Sequence, residues 1–159
     1  MLLELVWKAS LSSVTIFSDA CAIDDGEAVV LTGSQDDASM NKVMMYTMKG
    51  QAITLPSLIT GRYGHACGKV TKIDGETVNY CFPLPTIHNL LNPMQLYVVT
   101  GGIHHNSKTR ARFGLASTEI LKKGWGHSWQ RAASLPSARI FPRGVSLANG
   151  HFMVSGEEL

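Results

Sequence analysis

The chain has 159 residues, 45% of them hydrophobic and 16% charged, with 15 glycines and a formal net charge of +2. That is the composition of an ordinary folded protein of roughly one domain. No apolar run approaches the ~20 residues of a transmembrane helix, so no membrane span is expected, and low charge with abundant glycine favours an all-β chain.

The first element is "LLELVW" (2–7). Glu4 and Lys8 interrupt its apolar character and no basic residue precedes it, so a β-strand is expected rather than a signal peptide. The cysteines are Cys21, Cys67 and Cys81. An odd number without C-x-x-C spacing reads as neither a disulfide framework nor a zinc site. Reduced thiols and a cytoplasmic location are expected, with secretion left open. Asp24-Asp25 and Asp36-Asp37 lie in turn-like polar segments, where Asp serves local backbone donors.

Next come "VVLTGS" (29–34), "KVMMYTMKG" (42–50), "ITLPSLITGR" (53–62) and "YGHACG" (63–68). "GHACGKV" (64–70) approaches a phosphate-binding loop, but it is one residue short and has valine after the lysine. His65 and Cys67 can share a strand face. No orienting third group is legible, so a buried, satisfied pair is expected. "TVNYCFPLPTIHNLLNPM" (77–94), rich in Pro and Asn, reads as an insertion.

"QLYVVTGG" (95–102) contains Tyr97, Gly101 and Gly102 and is apolar almost throughout, as suits a strand covered on both faces. His104-His105 follow the double glycine. A solvated loop is expected there, since neighbouring residues on a strand point to opposite faces and share an ion poorly. "KTRARF" (108–113) sets Lys108, Arg110 and Arg112 beside Phe113 in the same loop, the best candidate for a contact surface with an acidic partner. "STEIL" (117–121) and "SWQRAASL" (128–135) alternate as half-buried strands do. Pro136 and Arg139 follow, then "GVSLANG" and "HFMVSGE".

These segments repeat. "VVLTGS" aligns with "VVTGG", "KVMMYTMKG" with "STEILKKG", and "ITLPSLITGR" with "ASLPSAR". The landmark glycines are Gly33, Gly101 and Gly156, spaced 101 − 33 = 68 and 156 − 101 = 55 residues; removing the 18 of 77–94 from the first leaves 50. Four short strands per ~50 residues describe one blade of a β-propeller, whose two faces pack on neighbouring blades. In that frame Trp129 fills the gap between blades. Pro136 ends the outer strand. Arg139, on the crossing between blades, can bind carbonyls or a carboxylate.

The sequence resembles the kelch-repeat family. "LYVVTGG", "STEIL", "SWQRAASLPSAR", "GRYGHACG" and "GVSLANGHFMVSG" carry the resemblance, over roughly residues 20–157. Ser34 and Glu157 stand where a second glycine would. The resemblance implies a partial kelch-type propeller of about two and a half four-stranded antiparallel blades. Its parts are a strand segment at 1–18, belonging to the outer part of a preceding blade, repeats at 19–62 and 63–139, and a partial repeat at 140–159. It implies a protein–protein interaction module, such as a substrate-recognition or scaffold fragment, rather than an enzyme. A decayed fragment without independent function and a relative of the propeller oxidases are the alternatives.

No catalytic, cofactor-binding or metal-binding residues are legible, and no cofactor is expected. Residues 1–79 carry six Lys/Arg against nine Asp/Glu (−3), and 80–159 carry eight against three (+5), which sum to +2. The basic half suits an acidic protein partner but is too weak to imply nucleic acid. Fewer than three blades leave apolar faces uncovered, so self-association or pairing with missing blades is expected.

Overall fold

The computed structural model describes residues 19–72, 94–124 and 127–158. The expected strand at 2–7, almost all of the insertion at 77–94, Cys81 and His88 lie outside them. The described residues form twelve strands and no helix.

Strands β1 (Cys21–Asp24), β2 (Ala28–Thr32), β3 (Val43–Thr47) and β4 (Ala52–Leu55) form one antiparallel sheet in that order. β1 turns into β2 at Asp24, whose carboxylate accepts from the Gly26 N–H at 2.8 Å. The second sheet has the same plan. It is built from β5 (Ala66–Lys72), β6 (Met94–Thr100), β9 (Thr118–Lys122) and β10 (Gln130–Ala132), in the order β10-β9-β6-β5. A third pair, β11 (Arg143–Ser146) with β12 (Phe152–Ser155), repeats the first two strands of the plan. β10 ends at Ala132, short of Leu135-Pro136.

The sheets stack through their first strands, β1 against β5 and β5 against β11. Alternation then decides what is buried. In the second sheet Cys67, Tyr97, Val99 and Leu121 share one face by register. They pack on Ile23, Val30, Val43 and Leu58 of the first copy. The opposite face presents Gly68 to the third pair. Adding a Cβ at Gly68 or Gly144 would bring it to 2.5 or 2.3 Å from the Phe152 ring. β6 is thus covered on both sides and buried from Leu96 to Thr100. The outer faces of the stack are less well covered. Val145 and Met153 of the third pair, and Leu147 in the turn between its strands, are 46%, 55% and 40% exposed.

The cysteines correct the sequence reading. Cys21 and Cys67 are joined in a disulfide across a separation of 46 residues. They begin β1 and β5, neighbouring first strands of the two copies, so the bond staples one sheet to the next. Counting cysteines could not show this, because the odd one, Cys81, obscured a pair brought together only by the stacking. Reducing the bond should lower stability by about 2–5 kcal/mol. The check is thermal melting of the alkylated, reduced chain beside the oxidised one; equal midpoints would contradict it.

The polar loop expected after the double glycine is a hairpin. β7 (Ile103–Asn106) pairs with β8 (Ala111–Gly114) as a separate two-stranded sheet. The first copy crosses from β2 to β3 without one. Tyr63 and Ile103 exchange backbone hydrogen bonds at 3.0 and 2.9 Å, tying the hairpin to the segment where the first copy passes into the second.

Candidate functional site

Two polar regions flank the stack, one buried where the copies join and one exposed on the hairpin.

The buried region starts from Arg62, at the end of the first copy. It is wholly buried, as is Glu119 on β9. Val99 and Glu119 pair in register, so Glu119 faces the first copy with the core side chains. Arg62 Nη2 donates to Glu119 Oε1 at 2.6 Å and to Ser117 Oγ at 3.0 Å. Its Nη1 donates to the carbonyls of Gly101 (3.0 Å) and Ser117 (2.9 Å). Glu119 also accepts from the N–H groups of Ile59 (2.7 Å) and Thr60 (3.0 Å). Burial pulls the Arg62 pKa down, against the pull of the Glu119 carboxylate. Every bond is charge-assisted, and the network joins the first copy to the second.

His65 sits beside it. Its Nε2 is 2.8 Å from Thr32 Oγ1, and its Nδ1 is buried without a hydrogen-bond partner. The expected satisfied His–Cys pair is therefore not formed: Cys67 is in the disulfide and His65 is half satisfied. His65 is wedged between Gly33 and Gly102. A Cβ on Gly33 (φ +67°) would come within 2.7 Å of His65 Cε1, and one on Gly102 (φ +90°) within 2.7 Å of His65 Cβ. Only glycine offers both the backbone angle and the room.

Burial, reinforced by the Arg62 charge, lowers the His65 pKa to about 3. An unfolded histidine protonates near pH 6.5. Between these values the unfolded chain binds the extra proton, so stability is full above pH 6.5 and falls as the pH drops. The folding equilibrium should weaken by up to about tenfold per pH unit. Urea titrations between pH 6.5 and 5, where carboxylates contribute little, should show a slope that His65→Asn flattens; an unchanged slope would place the proton elsewhere.

At the other end of the sheets, Asp25 departs from the expected local role. Its buried carboxylate pairs with Lys123 Nζ at 2.9 Å and Lys69 Nζ at 3.4 Å. Burial opposes its ionisation, but hydrogen bonding and charge from Lys123 hold its pKa below the ordinary value. Tyr97, on the adjoining face, has its pKa raised by burial and by the Asp25 charge.

The exposed region is the β7–β8 hairpin. Its histidines are tied to the first copy rather than solvated: His104 Nδ1 lies 2.8 Å from the Gly61 carbonyl, and His105 Nδ1 lies 2.7 Å from Asp37 Oδ1. Asn106 Oδ1 accepts from the N–H groups of Lys108 (3.0 Å) and Thr109 (3.2 Å), shaping the turn. Lys108, Arg110 and Arg112 are all exposed. Phe113, opposite His104, is 52% exposed.

Of the other landmark residues, Trp129 is buried in the same core cluster as Leu58 and donates its indole N–H to the Pro56 carbonyl at 2.8 Å, spanning the two copies. Pro136 is exposed. Arg139 donates through Nη1 to the Gly156 carbonyl. Arg62 and Glu119 were not singled out in the sequence, and Asp25 was read only as a turn residue. One signal was available for Arg62, since the aligned ends "LITGR" and "LPSAR" both close on arginine.

Among the described residues no group of three or more His, Cys, Asp and Glu could hold a metal ion. Nor is any helix there long and apolar enough to cross a membrane. No family model and no curated protein matches the chain. It is similar to the solved structure of YjhT, with 12% identity and a TM-score of 0.63, over 89% of this chain and 39% of that one. The chain thus spans about two fifths of the length of YjhT, and the likeness shows an all-β fold of several antiparallel sheets.

Proposed function

We propose that the chain is part of a kelch-type β-propeller and acts as a protein-binding module, with the β7–β8 hairpin as its contact surface. Two successive sheets of like order, each tied to the next by an arginine, support the propeller reading. The likeness to a longer solved chain is consistent with it. The observation that carries the binding role is the hairpin. It is the one element added to the shared plan among the described residues. It is fixed by His104 and His105, its turn exposes Lys108 and Arg110, and its second strand exposes Arg112 and Phe113.

A rigid base lowers the ordering cost of binding, and three exposed cations on one hairpin suit an acidic protein surface. The Cys21–Cys67 disulfide supports an oxidising compartment over the cytoplasm expected from the cysteine count. The buried network is fully engaged in joining the copies, which favours recognition over catalysis.

Reversing Lys108, Arg110 and Arg112 to glutamate should slow association with an acidic partner and flatten its salt dependence, leaving the melting temperature unchanged. The measurement is surface plasmon resonance against acidic proteins at several salt concentrations. Unaltered association rates would reject the hairpin as the contact surface.

A further inference from the structure

The hairpin carries two histidines whose bonding fixes where each keeps its proton. His104 Nδ1 is 2.8 Å from the Gly61 carbonyl, which can only accept, so that nitrogen bears the hydrogen. His105 Nδ1 is 2.7 Å from Asp37 Oδ1, and an ionised carboxylate likewise only accepts. In the neutral rings the other nitrogen, Nε2, is then bare. Among the described residues neither Nε2 has a hydrogen-bond partner. Neither is a buried orphan, in contrast to His65 Nδ1 and the Tyr97 hydroxyl, and the His105 side chain is 23% exposed. Solvent therefore reaches both Nε2 atoms, and a proton can enter there without breaking either bond to the first copy.

Resting on the hairpin's role as contact surface, we propose that acid strengthens its hold on an acidic partner: His104 and His105 each take a proton on Nε2, and the three cations of the hairpin become five with its anchorage intact. Histidine changes charge near pH 6.5. The surrounding charges are of both signs. Arg112 lies opposite His105, and uncharged Phe113 opposite His104. Lys108 and Arg110 occupy the turn, and Asp36 and Asp37 the crossing from β2 to β3. From the segment between the copies come Arg62, spent on Glu119, Tyr63, bonded through its backbone to Ile103, and His65, packed on Gly102 and held neutral by burial. An imidazolium donates more strongly than a neutral ring, so the tie to Asp37 tightens on protonation. The effect runs opposite to that of His65, whose protonation weakens the fold. Binding and stability therefore move in opposite directions as the pH falls.

The test is fluorescence anisotropy of a labelled oligo-aspartate peptide with the full chain at about pH 7.5 and about pH 5.5, where aspartate stays ionised. Circular dichroism checks at each pH that the chain is folded. Binding should be about fivefold tighter at the lower pH, the scale of one or two further exposed charge pairs. His104→Asn together with His105→Asn should remove most of that gain, because the amide donates from the place of Nδ1 and takes up no proton. A gain that survives in this variant overturns the proposal. Binding that needs Lys108, Arg110 and Arg112 but is equal at the two pH values overturns it alone. Binding that ignores those three cations, or no binding at either pH, overturns the contact surface and the proposal together. Nitrogen NMR of the free chain is the second measurement and needs no variant. Both neutral rings should carry their hydrogen on Nδ1, and the opposite tautomer in either ring also overturns the proposal.

Discussion

Glu119→Ala should destabilise the fold by about 3–5 kcal/mol, because it leaves Arg62 charged, buried and without its counter-ion. The N–H groups of Ile59 and Thr60 lose their acceptor in the same step. Glu119→Gln keeps the volume but sets an amide NH2 towards groups that are themselves donors, so it should recover only part of the loss. Urea unfolding of the two variants, and of Arg62→Met with Glu119→Met together, checks this. The double apolar variant should be more stable than Glu119→Ala, since the uncompensated charge is gone. A loss below about 1 kcal/mol for Glu119→Ala would mean that water reaches the pair.

Trp129→Ala should cost about 3–5 kcal/mol for the cavity. The ring is buried in the core cluster that both copies build, and its N–H satisfies the Pro56 carbonyl. Trp129→Phe separates the two contributions. It keeps most of the apolar volume and should lose about 1 kcal/mol, the ordinary net value of a hydrogen bond. An alanine variant with an unchanged melting temperature would contradict the packing described.

The β architecture was legible because its signals are local. Alternation in "STEIL" and the glycine stops need only a few neighbouring residues, and β9 and the end of β6 lie where those signals place them. The joint between copies was less legible. Glu119 was visible only as a polar position in an alternating strand, and nothing near it in sequence tells that its face turns inward. Cys21 and Cys67 were misread for a related reason. They meet because two first strands stack side by side, a relation that spacing along the chain does not record. The hairpin was read as a loop because "HHNSKTRAR" lacks the apolar alternation of a buried strand. Its pairing is held by backbone hydrogen bonds and by its anchorage to Tyr63 and Gly61.

The Arg62 network also has a direction in time. Its partners in the second copy lie 39 to 57 residues further along the chain. At synthesis rates of ~5–20 residues per second, Glu119 follows Arg62 by roughly 3–11 s. During that interval a nascent first copy that closed early would bury a guanidinium with no counter-ion. The first sheet is therefore expected to close only once the second is available to supply the counter-ion.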